Sequence, residues 1–453
     1  MLKRKAYDRL LEWKKNRNGK TALLIEGARR VGKSTLVEEF GRNEYASCLI
    51  VDFFQAPAEV RQYFEDYRTD FDTLFLYLST YYGVDLHERD TLIVFDEVQM
   101  FPTARGLLKY LVADGRYDYI ETGSLLSIKQ NVDGIVVPSE EESFELNPLD
   151  FEEFLWGMGE EKLATLIRRQ FDSLKPLPDG LHRRAMGLLR EYILVGGMPG
   201  PVSIYVAQRR FEPVDTAKRQ ILSLYRNDVA RFARGYEFKV VSVLDGIPGQ
   251  LSKHEKKFTL SSISKNARMR SYEEAFFWLA DARIASICFA CSDPGVGLSL
   301  NMTQSSLKCY LADTGLLVSL AFADNAHTDE SVYRAVLRGE IGLNEGMLTE
   351  NVVAQMLHAN GHRLFFYSQS GKREGEERME VDFLIVRPYA DAAMKPRVCP
   401  VEVKSPRQYG TKSLDRFKEK FGKRVGTQYV LHPKQLKVDG DRAYLPLYMG
   451  FCL

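Results

Sequence analysis

Short apolar runs alternate with helical stretches along the first 150 or so residues of the chain. A stretch from Tyr7 to Lys15 is typical of a short helix. Apolar runs of strand length that are separated by helices are typical of a parallel sheet covered by helices on both faces. We therefore predict an α/β domain at the N-terminus. Its predicted strands are residues 22–26, 48–54, 91–97, 117–122 and a less regular piece at 135–146.

The first predicted strand leads into a glycine-framed loop, Gly27–Ser34, and then into the start of a helix. This loop fits G-x-x-x-x-G-K-[ST], the pattern of loops that bind nucleotide phosphates. Its two glycines let the backbone curve so that N–H groups point at phosphate oxygens, at the N-terminus of a helix. Lys33 is expected to contact the β- and γ-phosphates, and Ser34 to be a ligand of Mg²⁺. The residues predicted to bind ATP or GTP are Gly27, Gly32, Lys33, Ser34 and Thr35.

The third predicted strand carries the second chemical signal, because four apolar residues lead directly to Asp96 and Glu97. Ligands bind at this edge of open α/β sheets, beyond the carboxyl ends of the strands. Asp96 is expected to hold Mg²⁺ directly or through water, and Glu97 to orient or deprotonate the attacking water. The next strand ends on Thr122 and Ser124, either of which could hydrogen-bond the γ-phosphate or its water. The alternative is a turn that only requires Gly123.

These motifs, together with Leu146–Phe154 (LNPLDFEEF), resemble those of prokaryotic AAA-type ATPases. More narrowly, they resemble AAA-type ATPases whose C-terminal half is a domain of unknown function with a nuclease-like core. The resemblance implies an ATP-hydrolysing domain in which Asp96 and Glu97 are the Walker B acids. It also implies that Thr122 or Ser124 is a sensor residue. The choice of ATP over GTP depends on the resemblance alone.

The middle of the chain is predicted to be helical at first, and the resemblance assigns this part to a lid beyond the ATPase core. Residues 258–301 then follow the order helix, turn, helix and two strands, which is the outline of a winged helix. Its second helix, at 272–282, would be the reader of DNA. This helix carries Glu273, Glu274 and Asp281, which phosphates would repel. A packing role or a protein partner is therefore favoured over specific DNA reading.

Two predicted strands near the C-terminus carry a third set of polar residues. Asp382 lies in an apolar run at 381–386, and Glu402 and Lys404 share one face of the run at 400–405. This arrangement resembles the PD-(D/E)xK nuclease core, with Glu350 as the acid carried by a helix. In such a core carboxylates bind a divalent cation that activates water, and a lysine helps to position the nucleophile. Val381 stands where the motif has proline. The alternatives are an amphipathic strand pair with solvated charges, and a nuclease fold without activity.

Composition adds limits on partners and location. The formal net charge is +1, which argues against a general polyelectrolyte binder. Residues 401–440, however, contain ten lysines and arginines against four acids, a patch that often binds DNA or RNA. The six cysteines are thinly scattered, as in proteins of reducing compartments. No signal peptide or membrane span is evident, so the expected location is the cytoplasm, with no membrane partner.

The leading hypothesis is an AAA-type ATPase whose hydrolysis of ATP is coupled, with Mg²⁺ as cofactor, to a nuclease-like or nucleic-acid-binding C-terminal domain. The alternative is a signalling or scaffold ATPase whose C-terminal domain is an inactive partner-binding module. A homo-oligomer is compatible with either hypothesis. The predicted domains are an ATP-binding domain at 1–155, a helical lid at 156–239, a winged-helix-like domain at 240–330 and a nuclease-like α/β domain at 331–453.

Overall fold

The computed structural model describes residues 2–124, 140–253, 256–260, 271–340, 344–369, 378–387, 396–405 and 409–453. The chain divides into two compact units. The first consists of Met1–Asn147 with Asp281–Arg283. The second consists of Pro148–Ala280 with Ile284–Leu453.

The first unit contains a five-stranded parallel sheet with the order β2-β3-β4-β1-β5. Its strands are β1 (Ala22–Glu26), β2 (Ser47–Asp52), β3 (Thr91–Asp96), β4 (Asp118–Gly123) and β5 (Glu141–Glu145). Its helices are α1 (Lys5–Arg17), α2 (Lys33–Glu44), α3 (Ala58–Asp66), α4 (Phe71–Tyr82) and α5 (Pro102–Asp114). The predicted parallel α/β fold is confirmed, although positions 135–139 of the fifth predicted strand lie outside the described residues.

Strand β3 shows why these sequences form a sheet that is covered on both faces. All six of its residues are buried, and successive side chains point to opposite faces. Ile93 and Phe95 belong to one apolar cluster, which also contains Phe64 of α3. Leu92 and Val94 belong to a second cluster, which also contains Phe40 of α2. The uninterrupted apolar run therefore supplies both layers of the core at once.

The second unit begins with helices and continues into an eight-stranded mixed sheet with the order β12-β13-β11-β10-β9-β8-β6-β7. Its helices are α6 (Phe151–Gly157), α7 (Glu161–Asp172), α8 (Asp179–Val195), α9 (Pro199–Gln208), α10 (Phe211–Phe232), α11 (Glu237–Leu251), α12 (Glu273–Asp281), α13 (Thr314–Ala321), α14 (Glu330–Arg338), α15 (Glu345–Ala359) and α16 (Lys412–Phe421). Its strands are β6 (Ala285–Cys291), β7 (Met302–Leu311), β8 (Phe365–Gln369), β9 (Met379–Arg387), β10 (Arg397–Val403), β11 (Gln428–His432), β12 (Lys437–Asp439) and β13 (Arg442–Pro446). The helices at 160–235 and the mixed sheet agree with the predicted fold class.

The region predicted to resemble a winged helix contains α12 followed by the antiparallel strands β6 and β7. Strand β6 also pairs with β8 in parallel, through Phe289 and Phe365. The regions 240–330 and 331–453 therefore contribute strands to one sheet. Residues 261–270, which would include the first part of the winged-helix outline, lie outside the described residues.

A buried polar network joins α10 to the helices around it. Lys218 is fully buried, and its Nζ donates to the Leu194 carbonyl at 2.7 Å and to the Tyr333 hydroxyl at 3.2 Å. Tyr333 in turn donates to Oδ1 of Asp215 at 2.7 Å. Burial lowers the pKa of Lys218 to about 8, against the opposing effect of Asp215 and Asp313. The network thus contains a lysine that burial makes easier to deprotonate than an ordinary lysine.

Among the described residues, no helix has both the length and the apolar character needed to cross a membrane.

Candidate functional site

The predicted phosphate-binding loop lies between the end of β1 and the start of α2. The geometry of the backbone explains why glycine stands at both of its glycine positions. Gly32 caps α2 with a φ of 96°, a left-handed conformation that favours glycine. Gly27 lies against the backbone of Leu146, where an added Cβ would stand 2.5 Å from the carbonyl oxygen. The buried guanidinium of Arg4 donates to the Val31 carbonyl at 3.1 Å and so supports the loop.

Lys33 is the first residue of α2, and its side chain is buried against the loop. Its Nζ donates to the carbonyl of Gly27 at 2.8 Å and to that of Ala28 at 3.2 Å. Thr35 lies exposed in the first turn of the same helix. The loop therefore places a lysine ammonium and the N-terminus of a twelve-residue helix together, which are the two features that attract phosphate.

The order of the strands brings three separate segments to the same edge of the sheet. Strand β4 lies between β3 and β1, so Thr122 stands between the strand that ends at Asp96 and the strand that leads into the loop. Ser34 Oγ donates to Asp96 Oδ1 at 3.0 Å, and the Thr122 hydroxyl donates to the same oxygen. Asp96 therefore connects the start of α2 to the end of β4.

Glu97 follows Asp96 in a left-handed conformation, with a φ of 52°. Such a backbone costs about 1–3 kcal/mol in residues other than glycine, and it occurs frequently at functional sites. The Glu97 carboxylate accepts hydrogen bonds through Oε2 from the side-chain amide of Gln99 and from Ser124 Oγ, the latter at 3.3 Å. Its backbone N–H donates to Thr122 Oγ1 at 3.3 Å.

The structure thus brings Ser34, Asp96 and Thr122 together at one edge of the sheet, with Glu97 and Ser124 next to them. Gln99 was not found from the sequence, although it lies only two residues after Glu97. The available signal was a polar side chain in the turn that directly follows a strand ending in two acids. Because Gln99 donates to Glu97, it helps to fix the direction of that carboxylate.

In the second unit, Glu350 on α15 is held by groups from other elements. Its Oε1 accepts a hydrogen bond from Lys308 Nζ at 3.1 Å and another from the Tyr310 hydroxyl, both on β7. Its Oε2 accepts a hydrogen bond from Lys256 Nζ. Burial raises the pKa of Glu350, but Lys308 and Lys256 outweigh this effect and lower the pKa to about 2. Glu350 is therefore a charged carboxylate in an ion-paired environment.

Lys308 is fully buried and lies among several carboxylates. Its Nζ is 3.1 Å from Glu350 Oε1, 2.9 Å from Glu380 Oε1 and 3.8 Å from Asp382 Oδ1. Burial by itself lowers the pKa of Lys308, but the three carboxylates raise it well above its ordinary value. We call Lys308, Glu350, Glu380 and Asp382 the lysine–carboxylate cluster.

Glu402 lies on β10, and Lys404 directly follows this strand. Both residues lie beside the lysine–carboxylate cluster. The Val403 N–H donates to Asp382 Oδ2 at 2.8 Å, which fixes β10 against the acid on β9. Lys404 Nζ is 3.1 Å from Glu402 Oε1, while Glu402 Oε2 is buried and has no hydrogen-bond partner among the residues that the structure describes. Burial raises the pKa of Glu402 to about 7, although Lys404 opposes this shift.

The predicted residues Glu350, Asp382, Glu402 and Lys404 therefore lie in one region of the second unit. Lys308, Glu380 and the pairing of Lys256 with Glu350 were not predicted from the sequence. For Lys308, the available signal was a lysine in the otherwise apolar end of β7, which is unusual unless an acid pairs with it. Within the described ranges, no group of three or more His, Cys, Asp or Glu side chains has an arrangement that could hold a metal ion.

Three segments of the chain match known domain families. Residues 19–155 match the AAA domain family. The match covers the loop, Asp96-Glu97 and Thr122–Ser124, so the resemblance of this region to AAA-type P-loop ATPases is confirmed. Residues 186–327 match a domain of unknown function, DUF8612, and residues 345–449 match another, DUF4143. These two matches do not address the predicted nuclease-like core.

A search for curated relatives found no match. Similar solved structures include the Aeropyrum pernix ORC1 protein in complex with DNA, with 13% identity, a TM-score of 0.28 and coverage of 72% of this chain and 93% of that chain. Cdc6p from Pyrobaculum aerophilum has 11% identity and a TM-score of 0.27, with coverage of 74% and 94%. A signal transduction ATPase with numerous domains from Pyrococcus horikoshii has 13% identity and a TM-score of 0.27, with coverage of 78% and 45%. These scores describe a distant likeness.

Proposed function

We propose that the first unit binds ATP with Mg²⁺ at the loop Gly27–Ser34 and hydrolyses it. The observation that carries this proposal is the pair of hydrogen bonds by which Ser34 and Thr122 meet on Asp96. P-loop ATPases use a hydroxyl at the start of the helix and an acid at a strand end to hold the metal ion. The AAA domain match over residues 19–155 supports the same assignment.

The residues present fit this nucleotide and metal. The glycine-lined loop supplies backbone N–H groups at a helix N-terminus, Lys33 would contact the β- and γ-phosphates, and Ser34 with Asp96 would hold the ion. When it is bound, Mg²⁺ neutralises charge on the phosphates and orients them. Glu97 would orient or deprotonate the attacking water. Thr122 and Ser124 stand close enough to the two acids to act as sensors of the γ-phosphate.

The variant Lys33→Ala tests this proposal. Loss of one charged donor at a phosphate site costs about 3 kcal/mol in the transition state, so we expect hydrolysis to fall by roughly a hundredfold. Phosphate release would be measured with ATP and with GTP, and binding with a fluorescent ATP analogue. Lys109→Ala, which removes an exposed lysine of α5, is the matched control. Equal turnover in wild type and Lys33→Ala would overturn the proposal.

We further propose that the second unit is the output module and binds a partner. The excess of basic residues at 401–440 supports DNA or RNA, although Lys418 pairs with Asp441 at 2.5 Å, which offsets part of this charge. The exposed apolar side chains Phe238 on α11 and Phe277 on α12 support a protein partner instead. Binding of labelled DNA and RNA at several salt concentrations separates these partners, because phosphate contacts weaken steeply with salt. Light scattering at several concentrations tests for a homo-oligomer.

A second candidate for the output is metal-dependent cleavage of nucleic acid. The observation that favours it is the convergence of Glu350, Asp382 and Glu402 near Lys404 in one region of the second unit. Incubation with DNA and RNA, with Mg²⁺ or Mn²⁺ and with or without ATP, tests this candidate. Cleavage that is lost in Lys404→Ala would support it. Intact substrate under all of these conditions would favour the partner-binding role.

A further inference from the structure

The lysine–carboxylate cluster contains one fully buried ammonium group and three carboxylates that approach it from two elements. Glu350 comes from α15, whereas Glu380 and Asp382 are two residues apart on β9 and share a face of the strand. A lysine ammonium has three N–H donors and accepts no hydrogen bond. Two of the three carboxylates lie at hydrogen-bond distance from Lys308 Nζ, and Asp382 lies at ion-pair distance, 3.8 Å away.

Carboxylates that converge in a buried place need a cation, because uncompensated buried charges of one sign are strongly destabilising. A divalent cation is one solution, and it takes carboxylate oxygens at about 2.0–2.6 Å. The geometry here shows another solution, in which Lys308 Nζ stands at 2.9 and 3.1 Å from two of these oxygens. A divalent ion placed among the same carboxylates would lie next to a buried positive charge that cannot reach water.

The surroundings of Glu350 also favour a lysine over a divalent ion as the cation of these carboxylates. Its second oxygen, Oε2, is taken by Lys256 Nζ, and Tyr310 donates a further hydrogen bond to Oε1. Asp382 Oδ2 is taken by the Val403 N–H at 2.8 Å. Both oxygens of Glu350, one oxygen of Asp382 and one oxygen of Glu380 therefore lie at hydrogen-bond distance from protein donors.

We propose that Lys308 is the resident cation of the Glu350–Glu380–Asp382 carboxylates, and that these carboxylates bind no divalent metal while Lys308 is in place. The second unit then contains an acidic cluster whose negative charge is partly offset by a buried lysine. We therefore expect the second unit to bind a partner and not to cleave nucleic acid with the help of a metal ion. Removal of the Lys308 charge should turn the cluster into a divalent cation site.

Binding of Mn²⁺, followed by the loss of its free electron paramagnetic resonance signal, tests this inference on the full chain. All samples carry Asp96→Asn, so that the proposed nucleotide site contributes no Mn²⁺ binding. The result for the second unit then does not depend on whether the first unit is an ATPase. With Lys308 present, we expect no bound Mn²⁺ up to about 100 μM. In Lys308→Met we expect one bound ion per chain at this concentration, and the addition of Asp382→Asn should remove it. Oxygen-ligand sites in proteins bind divalent cations with a range of dissociation constants that includes about 100 μM.

Lys256→Met is the matched control, since it removes the other lysine on Glu350 but leaves Lys308 in place, and it should bind no Mn²⁺. Two results would overturn the inference. One is Mn²⁺ binding with Lys308 intact that is lost in Asp382→Asn, a comparison that does not require the Lys308 variant to fold. The other is a folded Lys308→Met that gains no Mn²⁺. If Lys308→Met fails to fold, Lys308→Gln replaces it in the same measurement.

Discussion

Ser34 Oγ donates a hydrogen bond of 3.0 Å to Asp96 Oδ1, although the two residues are 62 positions apart in the chain. The contact joins the first turn of α2 to the end of β3, and Thr122 donates to the same carboxylate oxygen. Serine and aspartate at these two positions form an oxygen-ligand pair of the kind that Mg²⁺ prefers. The relationship is the reason why we propose that hydrolysis of ATP depends on Asp96.

The first prediction concerns the charge of Asp96. Asp96→Asn keeps the size of the side chain but removes the charge that would hold Mg²⁺, so we expect kcat for ATP to fall by about a hundredfold or more. Steady-state phosphate release measures this effect. Asp52→Asn is the matched control, because Asp52 ends β2 directly beside Asp96 in the register of the sheet. A similar loss of activity in both variants would contradict a specific role for Asp96.

The second prediction concerns Gln99, which donates to the Glu97 carboxylate. One hydrogen bond contributes about 1 kcal/mol, so Gln99→Ala should lower kcat by roughly fivefold through looser positioning of Glu97. The KM for ATP should change little, because Gln99 has no assigned phosphate contact. Kinetics over a range of ATP concentrations separates the two constants. Gln62→Ala, which removes an exposed amide that bonds Asp66 on α3, should leave both unchanged. An effect on KM alone would show that Gln99 does not act through Glu97.

The third prediction separates the role of Gly27 from that of an ordinary helical glycine. A Cβ at Gly27 would stand 2.5 Å from the Leu146 carbonyl oxygen, so Gly27→Ala should destabilise the fold by about 1–3 kcal/mol through overpacking. At Gly106, inside α5, such an atom would meet no described residue within 4 Å apart from the backbone of the helix itself. Gly106→Ala should therefore stabilise the chain by about 0.5–1 kcal/mol. Thermal unfolding measures both, and a Gly27→Ala variant as stable as wild type would refute the close approach.

The fourth prediction follows from the lowered pKa of Lys218, which is about 8 in the folded state. The unfolded chain therefore binds more protons than the folded chain between about pH 8 and the ordinary lysine pKa of about 10.4. The penalty for burying charged Lys218 is fully present below pH 8 and decreases as the pH rises through this window. From pH 7.5 to 9.5, the free energy of unfolding of wild type should rise by about 2 kcal/mol relative to Lys218→Met.

Chemical denaturation at several pH values tests this difference. The groups that face Lys218 are Asp215, Arg219, Asp313 and Tyr333, and they remain in both proteins. Their titration is therefore common to the two curves as long as the pH stays below the ordinary tyrosine pKa of about 10. Parallel curves for wild type and Lys218→Met would contradict a neutral-range titration of this lysine.

Most features of the candidate nucleotide site could be predicted from the sequence, because they are local in the chain. Gly27–Ser34 is one contiguous loop, and its function depends on backbone curvature and a helix N-terminus that neighbouring residues specify. Asp96 and Glu97 were predictable for a similar reason, since an apolar run places them at a strand end. The parallel sheet followed from the length and apolar character of the runs.

Other features were decided only by the tertiary structure, because they depend on contacts between residues far apart in the chain. The sequence indicated acids at 350, 382 and 402, but it could not show that Lys308 stands between two of them, 42 residues from Glu350. Nor could it show that β6 and β7 join the sheet of the C-terminal strands, since strand pairing is set by side-chain packing across the whole sheet. The candidate phosphate-binding loop and the acids at the end of β3 could be predicted from the sequence. That Lys308 lies among the C-terminal acids is visible only in the tertiary structure, because burial and the geometry of neighbouring charges exist only in the folded chain.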